Sequence, residues 1–353
     1  MKKQLDIIGS FAYEGTATDI RPLGNGLIND TFLVKTEDGA PDYVLQRINS
    51  SIFRDVDGMQ RNIDAVTAHI RAKLRARGAK DIDRRVLRFV PCRATGKTYF
   101  FDGKDYWRMS VYIPGTVTVE EVTPDTARSA GRAFGEFEGM LADLDADMTE
   151  TIPGFHDMEL RLRQLRETVA ADPAGRLGSV RDIVDAIEAR AFEMTAAERL
   201  GAEGKLPKRL CHCDTKVNNM LLDEKTGEVL CVIDLDTVKP SYVFSDYGDF
   251  LRTGACTTAE DEPDTAKIDF DMDIYRAFTE GYLESATFLT ELEREMLPYA
   301  ARLFPYMQAV RFLTDYINGD VYYKTAYPEH NLVRTRAQLA LLAAIDEKLR
   351  IKN

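Results

Sequence analysis

No apolar run in the 353-residue sequence approaches the ~18 residues that a membrane span requires. The stretch from Leu339 to Ile345 is short and reads as a core helix. Positive charge is in deficit, with 46 Lys and Arg against 58 Asp and Glu and a net charge of −12. Nucleic-acid binding needs clustered Lys and Arg, so the charge argues against a phosphate-backbone partner and mildly favours small or cationic ligands. Cysteines number five, odd and without framework spacing, which points to a reducing compartment. Zinc is disfavoured at Cys211-His212-Cys213 with Cys231 and Cys256, because adjacent residues of an extended segment face opposite ways. The opening MKKQLDIIGSFAYEG brackets its apolar residues with Asp6 and Glu14, leaving no signal-peptide core. The expectation is a cytoplasmic protein without internal repeats or low-complexity tracts, monomeric or weakly dimeric, with a small-molecule partner and no nucleic-acid or membrane partner.

What the sequence does contain is 44% hydrophobic and 29% charged residues, a globular composition, and a length that suggests two domains or lobes. Its centre is the segment Leu210 to Thr237, LCHCDTKVNNMLLDEKTGEVLCVIDLDT. His212, Asp214 and Asn219 form H-x-D-x-x-x-x-N, followed by an apolar hairpin and Asp234. Kinase catalytic loops use this order: a carboxylate to accept the proton of the attacking hydroxyl, an amide, and a second carboxylate for the metal. Met220 to Leu222 and Val229 to Ile233 flank the turn Asp223 to Gly227, where Gly suits a positive φ. A hairpin returns Asp234 beside Asn219, giving two hard oxygen ligands for one Mg²⁺. Asp246, in Asp-Tyr-Gly-Asp, lies beyond the returning strand and takes a structural role.

The N-terminal part reads as strands. Ala17 to Leu23 precedes Gly24-Asn25-Gly26, then come Leu27 to Thr36 and Tyr43 to Ile48. The glycine turn is either a phosphate cradle or a plain tight hairpin. A dinucleotide fold is disfavoured because its glycine turn would open a helix. A helix follows over Val56 to Arg77, with Ile63, Val66 and Ile70 at helical spacing. Strands are expected over Arg84 to Val90 and Tyr99 to Ile113, the second broken at Asp102-Gly103-Lys104-Asp105. Val111-Tyr112-Ile113 before Pro114-Gly115 is either a nucleotide hinge or an edge strand and turn. The third strand presents Gln46 where a kinase has Lys, with Arg47 on the other face, and Asp64 is a candidate for the helix carboxylate.

Beyond residue 113 the pattern is helical. Thr123-Pro124 is an N-cap and first helical residue of a helix to about Leu144. Gly131, Gly135 and Gly139 recur every four residues, as at a close helix contact. Further helices are expected over Met158 to Thr168, Val180 to Arg199, Thr265 to Ala286, Leu289 to Ile317 and Thr335 to Lys348.

HCDTKVNN and IDLDT resemble the aminoglycoside phosphotransferase and choline kinase superfamily. LQRINSSIF from Leu45, SDYGDFLRTGAC from Ser245 and RFLTDYINGDVYYKTAYPEHNLVRTR from Arg311 resemble bacterial N-acetylhexosamine 1-kinases, over nearly the whole chain. The resemblance implies an α+β, bilobal protein-kinase-like fold with a small antiparallel β lobe over 1–113 and a mostly helical lobe over 114–353. It implies ATP- and Mg²⁺-dependent phosphorylation of the anomeric hydroxyl of N-acetylglucosamine or N-acetylgalactosamine. Asp214 would then orient and deprotonate the sugar O1, and Asn219 and Asp234 would hold Mg²⁺. Gly24, Asn25, Gly26, Val111, Tyr112 and Ile113 would meet the nucleotide, while Arg311 and Tyr322 would line the sugar pocket and His330 would be structural. Leu27 and Thr253 depart from the family pattern at positions bordering the sugar. Other small hydroxyl acceptors, such as an aminoglycoside or choline, and a catalytically silent nucleotide-binding module are the alternatives.

Overall fold

β-Branched and aromatic residues dominate the first third of the chain, and the main sheet forms there. The structure, a computed structural model, describes residues 2–24, 29–37, 39–119 and 121–350. In chain order the elements begin with α1 (Lys2–Ile8), β1 (Ala17–Pro22), β2 (Asp30–Thr36), β3 (Tyr43–Ile48), α2 (Val56–Ala76) and a short α3 (Ile82–Arg85). β4 (Phe100–Phe101), β5 (Tyr106–Val111) and β6 (Thr116–Val117) follow. Then come α4 (Pro124–Leu141), α5 (Met158–Ala171), α6 (Arg181–Met194), α7 (Ala196–Ala202) and β7 (Arg209–Cys211). β8 (Met220–Asp223) and β9 (Val229–Val232) form a hairpin, and α8 (Phe244–Gly254), α9 (Met272–Ser285), α10 (Glu291–Glu295), α11 (Leu297–Ile317) and α12 (His330–Lys348) complete the chain. This is the expected α+β, protein-kinase-like architecture of an antiparallel sheet lobe and a helical lobe.

Two compact units are discontinuous in sequence. One comprises Met1–Thr118, Met140–Pro153 and Asn219–Lys239, and the other Val119–Gly139, Gly154–Asn218 and Pro240–Asn353. In the first, an antiparallel sheet runs β1-β2-β3-β5-β4. Strand alternation sends Tyr43, Leu45, Trp107 and Met109 into a core with Ile7, Ile8, Phe11, Val34 and Val90. Gln46 and Arg108, register partners on β3 and β5, occupy the other face. The β8–β9 hairpin pairs Met220 with Val232 and extends to β6. Asp223 caps its turn by accepting the Lys225 and Thr226 amides at 2.9 and 3.1 Å, and Gly227 takes the expected positive φ of 71°.

The strand expected from Arg84 to Val90 is instead α3 and an extended segment joined to the sheet by the isolated bridge Phe89–Ser110. Arg84 is drawn out of any ladder by donating to the Gly115 carbonyl and the Asp223 carboxylate, at 3.1 and 3.0 Å. In the helical unit the expected helix over Val180 to Arg199 breaks at Thr195. Its hydroxyl donates back to the Ala191 carbonyl at 3.0 Å beside its own amide at 3.2 Å, a back-bonding that bends helices. Leu289 to Ile317 likewise divides at Met296, where Pro298 begins α11. Residues 265–271 do not join α9, which is capped by Asp271 accepting the Asp273 and Ile274 amides.

The glycine repeat on α4 is a helix contact. A Cβ on Gly131 would lie 2.2 Å from the Phe278 carbonyl oxygen, and one on Gly281 would lie 2.0 Å from that of Arg128. α4 and α9 therefore approach backbone to backbone. α11 packs on α5, α8 and α12 and is the central helix of its unit.

Candidate active site

A loop residue becomes a reliable base only when the backbone carrying it is held, and the loop after β7 is held by α8. Asp246, fully buried on α8, accepts the His212 and Cys213 amides, both at 2.7 Å. Cys213 adopts a left-handed φ of 64°, a conformation a non-glycine residue keeps only when its surroundings fix it. Thr215 donates its hydroxyl to the Asp246 carbonyl at 2.7 Å and its amide to Asp249 at 3.2 Å. Asp214 lies between these anchored residues, and its own amide donates to His212 Nδ1 at 3.2 Å. The buried His212 ring packs edge-on against Phe134 and Phe137, with centroids 6.0 and 5.9 Å away. His212 thus supports the loop from behind.

Glu138, Cys211 and Asp246 bring side-chain atoms within 4.8 Å of one another, all buried. Burial, reinforced by the neighbouring Asp246, pushes the Glu138 carboxyl well above its ordinary range, and burial does the same to the Cys211 thiol. Burial pushes the Asp246 carboxyl up as well, opposed by the His212 ring and by the two amides that Asp246 accepts.

The spacing D-x-K, overlooked in the sequence reading, proves informative. Lys216 Nζ is 3.1 Å from Asp214 Oδ1, and the Lys216 side chain is 44% exposed. Burial opposes its charge, but Asp214 and Asp249 outweigh that and hold the ammonium above its ordinary value. A cation thus stands on the loop after β7, in a chain whose third strand lacks Lys. Buried Arg252 closes the arrangement behind it, 3.1 Å from Asp249 and 2.6 Å from Glu260.

The other chemistry-bearing cluster lies within the sheet-containing unit. The Ile233 amide donates to the Asn219 carbonyl at 2.9 Å, so the hairpin does return Asp234 beside Asn219. Asp234 has φ 58°, which turns the chain sharply after β9. Two residues on, buried Asp236 forms an ion pair with buried Arg108 on β5. Arg108 also donates to Gln46 at 2.8 Å, and Asn29 donates its amide to Asp236 at 2.9 Å. Gln46 therefore occupies the strand position expected for a cation, and the guanidinium beside it belongs to buried Arg108. Its carboxylate is Asp236, not Asp64, which instead accepts the Thr98 hydroxyl at 2.7 Å. An Asn219–Asp234 donor set is hard, oxygen-based and adjacent, which fits Mg²⁺.

Of the expected nucleotide residues, Gly24 is exposed with φ 69°, while Asn25 and Gly26, with Leu27, lie outside the described residues. The amides of Val111 and Tyr112 donate to the Arg88 and Asp42 carbonyls, both at 2.9 Å, so these two hinge donors are committed to the protein. Ile113 is buried, and its carbonyl accepts the Thr116 hydroxyl at 2.8 Å.

On the acceptor side, Arg311 on α11 stacks over Phe155 and Tyr323, its guanidinium 5.2 and 5.6 Å from their centroids. Tyr322 is 62% exposed and meets Tyr323 edge-on. Tyr323, not singled out by sequence, is the ring Arg311 contacts. Thr253 turns its hydroxyl back to helix carbonyls. His330 accepts the Ala326 amide at Nδ1 and faces Asp261 through Nε2 at 2.9 Å, which gives it a structural contact on each nitrogen.

Residues 19–282 match the model of a phosphotransferase enzyme family. The fold is similar to that of an aminoglycoside phosphotransferase from Alicyclobacillus acidocaldarius subsp. acidocaldarius DSM 446, at TM-score 0.63 and 16% identity over 98% of this chain and 96% of that one. A microcompartment-associated aminopropanol kinase aligns at TM-score 0.56 and 17% identity, covering 99% and 97%. A spectinomycin phosphotransferase, solved with ADP and spectinomycin, aligns at TM-score 0.59 and 10% identity, covering 99% and 98%.

Proposed function

The chain belongs to the phosphotransferase enzyme family, and from that premise we propose that it transfers the γ-phosphoryl group of ATP to a small hydroxyl acceptor, the anomeric hydroxyl of a hexosamine such as N-acetylglucosamine or N-acetylgalactosamine. The supporting observation is the held catalytic loop, with Asp214 between anchored neighbours and Lys216 3.1 Å from its carboxylate. The sugar preference rests on the sequence resemblance and on the Arg311–Tyr323 stack, since an aromatic covers an apolar sugar face and Arg donates to sugar oxygens.

In this reading residues 1–113 serve as the nucleotide lobe, with Gly24 to Gly26 and Val111 to Ile113 meeting ATP. Asp214 accepts the O1 proton as O1 bonds to the γ-phosphorus and the bond to the β-phosphate oxygen breaks, releasing ADP. Asn219 and Asp234 hold Mg²⁺, which balances phosphate charge when bound. Lys216 adds a cation beside the transferring group, where a loose transition state needs positioning and charge balance more than covalent help. A cationic acceptor is disfavoured by Arg311.

The test is ADP release with ATP and Mg²⁺ across N-acetylglucosamine, N-acetylgalactosamine, galactose, choline and kanamycin. Turnover on a hexosamine, abolished in its methyl glycoside, is the expected result. Turnover confined to the amines would discard the sugar reading and keep the phosphotransferase.

A further inference from the structure

Arg161 on α5 and Arg311 on α11 both meet Phe155, the first at its carbonyl and the second over its ring, and among the described residues neither is in an ion pair with a carboxylate. Arg161 donates to Gln164 at 3.0 Å and to the Phe155 carbonyl at 2.9 Å. Its Nε is buried without a hydrogen-bond partner. Arg311 donates to Gln308 at 3.1 Å and lies over the Phe155 ring. Burial, then the adjacent Arg311 charge, pushes Arg161 down to about 10. Two like charges and an orphaned donor in one half-buried place are costly unless something else supplies negative oxygen.

The neighbouring acids are engaged elsewhere. Asp315, buried at the end of α11, accepts the Val321, Tyr322 and Tyr323 amides at 3.0, 2.8 and 2.9 Å, and the Asn331 side chain at 2.9 Å. Asp320 pairs with Arg176. Asp157 caps α5 through the Leu160 amide. By fixing residues 321–323, Asp315 holds Tyr323 against Arg311 and so builds a wall around the arginine pair. In the same unit Glu260 pairs with Arg252, and Arg252 pairs with Asp249, which accepts the Thr215 amide beside Asp214.

We propose that Arg161 and Arg311 form a carboxylate subsite, so that the acceptor is an acidic sugar of the hexuronic acid class. This rests on the sugar-kinase reading and puts an acidic sugar in place of the neutral hexosamine as its preferred acceptor. A carboxylate accepts from two guanidinium groups in charge-assisted bonds that a neutral hydroxymethyl or acetamido group makes more weakly. The ring of Tyr322, 62% exposed beside Tyr323, provides an apolar surface on which a sugar ring lies.

The experiment compares kcat/KM for glucuronate and galacturonate with that for N-acetylglucosamine and N-acetylgalactosamine on the full chain, at low and at high salt. A uronate preference of about tenfold or more, weakened by salt, is expected from charge-assisted bonding. Arg161→Gln then brings the uronate-to-neutral ratio toward one, whereas Arg161→Lys, which keeps the charge, retains part of it. Equal or better turnover of the neutral hexosamines by the wild-type chain overturns the subsite and leaves the sugar-kinase reading standing. Turnover on neither class overturns both. The wild-type comparison decides the matter even where a variant fails to fold.

Discussion

Lys216 Nζ and Asp214 Oδ1 are 3.1 Å apart on one loop, two residues from each other in sequence. The pair puts the proposed base and a cation on a backbone that Asp246 and Asp249 hold from α8. In the proposed mechanism both side chains serve one reacting centre, with different expected losses.

Asp214→Asn removes the proton acceptor while keeping the side-chain shape. Turnover should fall by about 10²-fold or more, with nucleotide affinity nearly unchanged, as titration of a fluorescent ATP analogue would register. Turnover near the wild-type rate would remove Asp214 from the mechanism.

Lys216→Met deletes the loop cation. Loss of one preorganised charge donor at a phosphoryl centre costs about 10²-fold in kcat. Because the reaction charge develops only in transfer, kcat should drop more than KM for ATP rises. Steady-state kinetics with ATP varied at saturating acceptor separate the two, and a pure KM effect would recast Lys216 as a ground-state contact.

Asp236→Ala leaves Arg108 buried without its counter-ion and Asn29 without its acceptor. Breaking a buried pair on one side costs about 3–5 kcal/mol. Urea unfolding should show that loss, and a change below about 1 kcal/mol would mean that water replaces the carboxylate.

Gly131→Ala sets two effects against each other. Alanine in a helix interior gains about 0.5–1 kcal/mol over glycine, but its Cβ would lie 2.2 Å from the Phe278 carbonyl. Overpacking at a backbone contact costs about 1–3 kcal/mol, so the net change should be destabilising. A higher melting temperature would show that α4 and α9 separate readily.

Burial pushes Glu198 up to about 7, while its carboxyl accepts the Met158 amide at 2.7 Å. The folded chain therefore binds this proton more tightly than the unfolded chain. The stability it contributes is complete below about pH 4.5, the ordinary value, and is lost as pH rises through about 7. Glutamine keeps the amide contact without ionising. Glu198→Gln should equal the parent near pH 5 and exceed it by about 2–3 kcal/mol at pH 8. Denaturant midpoints at the two pH values provide the comparison, and parallel profiles would show that Glu198 is solvated when ionised.

Helices and strands with clear periodicity were legible from sequence, including α2, α5 and the β8–β9 hairpin, because local spacing decides which face a side chain takes. Boundaries set by single competing contacts were less legible. Thr195 back-bonds to the Ala191 carbonyl where α6 ends, and Arg84 contacts Asp223, 139 residues away in sequence. Periodicity carries no trace of such partners.

The same division runs through the candidate site. H-x-D-x-x-x-x-N and the returning Asp234 are encoded by spacing alone, since a short hairpin must bring its ends together. So is the glycine repeat that lets α4 meet α9. That Arg108 stands beside Gln46, that Asp236 rather than Asp64 balances it, and that Arg161 and Arg311 both meet Phe155 were decided only by the tertiary structure. Charge pairing acts over a few ångströms in space, and residues far apart in sequence become neighbours only when the sheet register and helix packing have been set.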